Sequence, residues 1–433
     1  MRHIGLLGSV AIIVFATLFS IGGAAPGETQ AVRFCIVCSE HWLADAISNV
    51  LLFLPFGASL SASLSASLGT GRVWQGATAI RAIKQAGAAG LLLSLLVESA
   101  QWMGWPPGRS PAVADLLSNT TGAVAGALLA ASWPQVVQPV RSVATWCVLA
   151  WSIGAASVLA LTACALGEST ATLGDAPSAT QVRASRYSYA PAFGWYDGTI
   201  ESVQVAAQVF SRPTGTGPVV RALDPVPWSL STSATLTRLD PAANIRAVLY
   251  LHAVRDSLPV LLIGQQRDTA WLIVTRRAGR HGLYMPRLAL AGAWGDLQRD
   301  ARPVTVHAFA SGERLRLEAF PSGAATPAAH AELRLTPALG WALLQPAVTV
   351  QSPWALLVLC GWLGLLAGPL GWWSAHASRT AVTLGAVLVV GSAVLSPVLG
   401  AVHPLRVSEW VMLAGAYVTG ALLALHRLRT KRA

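Results

Sequence analysis

The sequence predicts a polytopic α-helical membrane protein of about eight spans, with an inserted extracytoplasmic all-β sandwich that is jelly-roll-like. The 433 residues are 54% hydrophobic and 11% charged, and their mean hydropathy is +0.54, whereas soluble domains carry about 25% charged residues. Apolar runs of the length that crosses a bilayer, about 20 residues, occupy both ends of the chain. Between them lies a long stretch in which charged residues and short apolar runs alternate.

Eight apolar runs are candidate spans, five before the central stretch and three after it: Ile4–Ala24, Ile47–Leu68, Ala86–Met103, Leu116–Trp133, Thr145–Leu166, Trp354–Trp373, Ala381–Gly400 and Glu409–Leu425. Basic residues predict the orientation, because Lys and Arg accumulate on the cytoplasmic side. With a cytoplasmic N-terminus, and with the central stretch left out of the count, ten basic residues flank the spans inside, against Arg33, Arg109 and Arg406 outside. We therefore predict a multi-pass protein of the cytoplasmic membrane with both termini in the cytoplasm.

The central stretch, residues 168–350, is predicted to be an extracytoplasmic β-sandwich domain. It holds 13 of the 19 acidic residues and 17 arginines, but no lysine. Its short apolar runs are separated by Gly, Pro and Asp, which is typical of strands in an all-β sandwich; they start at Ser202, Ala247, Trp271, Pro303, Arg314 and Ala331. The predicted domains are thus a transmembrane domain at 1–167, this sandwich, and a transmembrane bundle at 351–433.

Composition and cysteine usage exclude several function classes. The net charge of +11 could indicate nucleic-acid binding, but the basic residues mark span ends and no RNA-binding motif is present. Cys35 and Cys38 lie in the first outer loop, where an oxidising compartment favours a disulfide between them. A metal site would need a fourth ligand besides these two and His41. We therefore expect no nucleic-acid partner, no metal and no cofactor.

Six polar residues are predicted to meet at the outer membrane boundary, where ionisable side chains are costly and by default functional. They are Asn49 at the start of the second span, Glu98 and Gln101 at the end of the third, Arg109 in the following turn, and Asp115 and Asn119 in the fourth. Spacings of three and four residues place the members of each helical pair on one face. Gly122 and Gly126 have the spacing that lets another helix pack closely.

These residues carry a family resemblance over the first third of the chain. The segment from Asn49 to Gly57 (NVLLFLPFG), then Glu98-x-x-Gln101, Gly108-Arg109 and Asp115-Leu-Leu-x-Asn119-x-x-Gly122 together resemble the VanZ-like membrane family. That family is named for a protein that raises tolerance to the glycopeptide teicoplanin, so the resemblance implies a link to the cell envelope. The interval SPAVA between Arg109 and Asp115 departs from the family pattern, because it lacks the acidic or aromatic residue often found there.

The central stretch carries a second resemblance, which rests on strand pattern. YDGTIESVQVAAQVF and LLIGQQRDTAWLIVTRR resemble the strands of a concanavalin A-like or laminin-G-type jelly roll. This resemblance implies carbohydrate binding at a rim of the sandwich, in some members with calcium. No compact Asp/Asn cluster is present to hold calcium.

The leading hypothesis is a non-enzymatic envelope protein that binds a lipid-linked or glycan headgroup at the outer leaflet. Arg109 would hold phosphate through bidentate hydrogen bonds, and Asn49, Gln101 and Asn119 would meet hydroxyl or amide groups. One alternative is a structural clamp in which Arg109 neutralises two carboxylates. Another is an enzyme on a lipid-linked or cell-wall substrate, with Glu98 or Asp115 as acid/base. A transporter is the last alternative.

Overall fold

The computed structural model describes most of the chain: residues 2–18, 35–37, 39, 41–67, 77–106, 110–168, 180–183, 189–190, 194–205, 208–211, 229–241, 244–253, 259–300, 302–345 and 350–430. The chain divides into two compact units. The first comprises Met1–Val148, His281–Leu283 and His376–Ala381, and the second comprises Leu149–Arg280, Tyr284–Ala375 and Val382–Ala433. The predicted domain boundaries at 167 and 350 remain predictions.

Seven of the described helices are long and apolar enough to cross a membrane: α2 (Trp42–Ser67), α3 (Ala77–Trp102), α4 (Val113–Val137), α5 (Arg141–Leu166), α8 (Ala355–Ser374), α9 (Arg379–Gly400) and α10 (Val407–Thr430). Each coincides with a predicted span. The first predicted span begins as a shorter apolar helix, α1 (Arg2–Leu18), and its remainder lies outside the described residues. Two short helices, α6 (Arg277–Arg280) and α7 (Gly295–Asp300), belong to the central stretch.

The third helix is longer than its predicted span Ala86–Met103, because two basic residues interrupt the apolar run without ending the helix. α3 starts at Ala77 and includes Arg81 and Lys84. Both residue types have good helix propensity, and their long side chains can extend toward the membrane surface. The prediction of a span was right, but its start was wrong.

In the first unit, α2 and α4 cross so closely that only glycine fits at the contact. A Cβ atom at Gly122 would overlap the carbonyl oxygen of Val50, and one at Gly126 would overlap that of Leu54. Gly57 lies on the facing helix α2, and a Cβ there would overlap the carbonyl oxygen of Ala123 on α4. Small residues permit such backbone contact between membrane helices. The predicted close approach at Gly122 and Gly126 is therefore confirmed.

The second unit contains the predicted β region. The described strands are β1 (Thr180–Arg183), β2 (Tyr189–Ala190), β3 (Gly194–Trp195), β4 (Thr199–Val205), β5 (Gln208–Ser211), β6 (Ser229–Arg238), β7 (Arg246–Ala253), β8 (Pro259–Gln266), β9 (Thr269–Val274), β10 (Arg287–Leu290), β11 (Val304–Ser311), β12 (Arg314–Pro321) and β13 (Ala329–Arg334). A five-stranded sheet has the order β1-β7-β8-β9-β10, and a six-stranded sheet has the order β13-β12-β11-β6-β4-β5. Neighbouring strands are antiparallel.

One face of the six-stranded sheet is buried and the other is open. On β12, Leu315 and Leu317 are buried while Arg314 and Arg316 are exposed, as the two-residue period of a half-buried strand requires. β9 and β10 lie against β12 and β13, so the two sheets share an apolar core.

The C-terminal helices of the second unit repeat the glycine-mediated contact. A Cβ at Gly371 of α8 would overlap the carbonyl oxygen of Tyr417, and one at Gly420 of α10 would overlap that of Gly368. A fully buried 3₁₀ helix, Pro337–Leu343, lies against α8. Thr336, just before it, donates to Glu409 at the start of α10 over 3.0 Å.

Candidate functional site

Polar side chains of α2, α3 and α4 converge in the first unit, as their sequence positions predicted. Asn49 Nδ2 of α2 donates a hydrogen bond to Asp115 Oδ1 of α4 over 2.9 Å. Asp115 lies in the first turn of α4, where the positive end of the helix dipole favours a carboxylate. This bond joins the same two helices whose glycines make the close contact.

Glu98 supports the chain where it enters α4. Its Oε2 accepts the backbone N–H of Ala112 over 2.8 Å, and the residue is 8% exposed. In the described part of the chain, the N-cap residue Ala112 makes no side-chain capping bond, so its N–H and the next two need other acceptors. The carbonyl of Cys35 accepts from Val113 over 3.2 Å, and that of Ile36 accepts from Ala114 over 3.1 Å.

Asn119 is the most deeply buried member of the group. It is 2% exposed, and its Nδ2 donates to Ser94 Oγ of α3 over 2.9 Å. Its Oδ1 is buried and has no hydrogen-bond partner. Because the amide's two ends are interchangeable in assignment, either orientation leaves one end without a partner. Most buried polar atoms in proteins are satisfied, and Asn119 shares this lack of a partner with the hydroxyls of Ser152 and Ser396.

Ser94 is a member of the group that sequence reasoning missed. It is fully buried and lies four residues before Glu98, so the two share a face of α3. That spacing was the available signal, but an isolated serine in a helix rich in small residues does not stand out. We call Asn49, Ser94, Glu98, Gln101, Asp115 and Asn119 the outer polar cluster, a name that takes its side from the orientation predicted by the basic residues.

The structure describes only some of the other predicted site residues. Gln101 is 3% exposed near the end of α3. Arg109 and Cys38 lie outside the described residues. Cys35 is disulfide-bonded, and its predicted pairing with Cys38 stays a prediction. Among the described residues, no three His, Cys, Asp or Glu side chains are grouped as a metal site would require.

This geometry supports recognition better than it supports a nucleophile. Asn49 and the backbone of Ala112 both direct N–H groups at carboxylates. The amide of Asn119 has one further donor or acceptor that no other group in the described residues satisfies. Carboxylate, amide and hydroxyl groups in this combination suit a ligand that carries both donors and acceptors.

One of three comparisons with known proteins matches the part of the chain that contains the cluster. No curated protein and no solved structure matches the chain, and no match identifies the β region as concanavalin A-like or laminin-G-like. By helix length and composition the chain is a multi-pass membrane protein. The VanZ/LLP1 family model matches residues 6–134, a segment that contains the whole outer polar cluster and is similar to that family.

Proposed function

We propose that the outer polar cluster binds the polar headgroup of a membrane lipid or of a lipid-linked cell-wall precursor at the outer leaflet. The observation that carries this proposal is the buried amide of Asn119, which has one end without a partner. An unsatisfied buried amide costs about 1–3 kcal/mol. A ligand hydroxyl or amide that bonds to this end would offset that penalty.

The burial of the cluster supports the same proposal. Glu98, Gln101 and Asn119 are at most 8% exposed, and they lie on helices that have an apolar segment long enough to cross a membrane. Polar and ionisable groups at such positions are expensive in a membrane protein and mark ligand pathways or relays. Two apolar helices could pack through Gly122 and Gly126 without any of these side chains.

Arg109 completes the proposed site on sequence grounds. It lies in the turn between Gln101 and Asp115, and the charge bias of the loops assigns that turn to the outer side. A guanidinium there would bind phosphate in a bidentate manner. The glycopeptide tolerance for which the VanZ-like family is named fits a lipid-linked precursor as ligand. The β region would then bind glycan or protein on the same side of the membrane.

Asn119→Leu tests the proposal, because leucine fills a similar volume without donors or acceptors. Thermal unfolding of the purified protein is followed with and without a total lipid extract from its host membrane. Wild type should gain several degrees, because a ligand that binds only the folded state stabilises it. Asn119→Leu should lose most of that gain.

Thr121→Val is the matched control, since Thr121 lies on α4 but is exposed and bonds only to the carbonyl of Leu117 within its own helix. This variant should keep the full lipid-dependent gain. An equal gain in wild type and Asn119→Leu would contradict headgroup binding and favour the structural clamp. Retained lipid binding with lost turnover in Asp115→Asn would instead favour the enzyme.

A further inference from the structure

A cleft in the second unit lies where membrane helices end and the six-stranded sheet begins. It has a volume of about 600 Å³, and Glu168, Phe309, Arg314, Arg334 and His403 are among its lining residues. Glu168 follows the last residue of α5 by two positions, and Ala401, another lining residue, directly follows α9. The cleft is therefore at the level where lipid headgroups meet the ends of spanning helices.

Glu168 presents a carboxylate oxygen that has no partner. Its Oε2 is buried without a hydrogen bond, while the backbone N–H of Gly312 bonds to the carboxylate. Burial raises the pKa of Glu168, and the positive charges of Arg276 and Arg277 oppose that rise. A cationic donor that entered the cleft would stabilise the ionised carboxylate.

Arg276 and Arg277, whose charges act on Glu168, bond to backbone carbonyls, and Arg276 Nε is buried without a hydrogen bond. Arg277 Nε donates to the backbone carbonyl of Glu168 over 2.8 Å, and Arg276 Nη2 donates to that of Ser311 over 2.6 Å. Arg276 is only 2% exposed and is not among the residues that line the cleft. The carboxylate of Glu168, a residue that lines the cleft, therefore accepts no hydrogen bond from either guanidinium.

The sheet contributes two guanidinium groups to the same cleft. Arg314 of β12 and Arg334 of β13 are register partners, and like charges at directly opposite positions repel. Arg334 contacts Glu332 at 3.1 Å in an exposed pair, whereas Arg314 lies 5.3 Å from the ring centre of Phe309. An anion between the two arginines would relieve their repulsion and accept bidentate hydrogen bonds.

We propose that this cleft binds a phosphoethanolamine group, with the ammonium on Glu168 and the phosphate between Arg314 and Arg334. Ethanolamine phospholipids and soluble phosphoethanolamine share this chemistry, and the position beside the ends of α5 and α9 points to the lipid. The site is separate from the outer polar cluster and does not depend on the function proposed for it.

Choline phospholipid is the discriminating probe, because it has the same phosphate and net charge but no N–H donor. Full-length protein is purified, stripped of lipid, and titrated with dioleoyl phosphatidylethanolamine or phosphatidylcholine while native mass spectrometry counts bound lipids. Wild type should bind the ethanolamine lipid about tenfold more tightly, as one charge-assisted hydrogen bond allows. Glu168→Gln should reduce that preference to less than about twofold.

The arginine variants give a second, independent readout. Arg314→Gln should weaken both lipids about equally, because both carry the phosphate. Arg316→Gln is the matched control, since Arg316 lies on the same strand and face but pairs with Glu318 and does not line this cleft. It should leave both affinities unchanged.

Equal binding of the two lipids by wild type, or an unchanged preference in folded Glu168→Gln, would overturn the proposal. Competition with soluble phosphoethanolamine distinguishes the two sources of the group. Lipid that resists displacement assigns the site to a membrane lipid, and ready displacement assigns it to a soluble ligand.

Discussion

Gly126→Leu is expected to abolish stable packing of α2 against α4 and to yield little folded protein. A Cβ at Gly126 already overlaps the carbonyl oxygen of Leu54 and approaches the backbone nitrogen of Ala58 at 2.8 Å. These are backbone atoms of the facing helix, so no side-chain rotation can relieve the overlap. Overpacking of this kind costs about 3 kcal/mol or more.

Size-exclusion chromatography and thermal unfolding of detergent-purified protein measure this effect. Gly154→Leu is the control, because an added Cβ at Gly154 of α5 meets nothing within 4 Å and leucine is the better helix former. The control should remain monodisperse with an unchanged unfolding temperature. If Gly126→Leu were equally monodisperse and stable, the close crossing of α2 and α4 would be wrong.

Glu409→Ala is expected to produce the second large loss of stability. Glu409 is fully buried and accepts from the backbone N–H of Arg406 over 2.8 Å and from its Nε over 3.0 Å. It also accepts from the buried hydroxyl of Thr336 over 3.0 Å. Removing one partner of a buried ionic group costs about 3–5 kcal/mol, and the 40% exposure of the Arg406 side chain places the expected loss near the lower end.

The unfolding temperature of the purified protein tests this second prediction, and Glu332→Ala is its control. Glu332 pairs with Arg334, but the two side chains are 34% and 51% exposed, so their ion pair contributes less than about 1 kcal/mol. Glu332→Ala should therefore change the unfolding temperature little. Equal effects of the two substitutions would mean that the contacts of Glu409 do not stabilise the second unit.

The spans were predictable because a single property, apolar length, determines them. The bonds of Asn49, Glu98, Asp115 and Asn119 in this region agree with the predicted grouping, which rests on helix ends on one side of a membrane lying near one another. The place of Arg109 in the group stays a prediction. The start of α3 was misjudged because charge was taken as the end of the helix. The pairing of Cys35 and Ile36 with the start of α4 could not be predicted, because loops carry no periodic signal.

The cleft at Glu168 was not predictable from the sequence. Glu168, Arg314, Arg334 and His403 line it although they are separated by up to 235 positions. Strand register places Arg314 opposite Arg334, whereas Glu168 and His403 lie outside the strands. Residues of β12 alternate between exposed and buried, but such alternation does not indicate which neighbours the exposed residues meet. A resemblance of strand pattern likewise indicates two sheets without identifying the family of the β region.

The two explanations of the outer polar cluster, clamp and headgroup site, differ in what the amide of Asn119 meets. A clamp needs every polar atom to be satisfied by the protein itself. The bonds of Asn49 to Asp115 and of Ala112 to Glu98 fit that description, but the buried amide of Asn119 does not. The headgroup binding that we propose would account for all three observations.

Mass spectrometry of the lipids that co-purify with the protein from native membranes tests the headgroup site most directly. Wild type is compared with Arg109→Ala, and Arg33→Ala serves as control because it removes another arginine from the predicted outer loops. We expect a phospholipid or polyprenyl-linked species that is retained by wild type and Arg33→Ala and lost from folded Arg109→Ala. Identical lipids in all three proteins would contradict headgroup binding by the cluster and leave it a structural clamp.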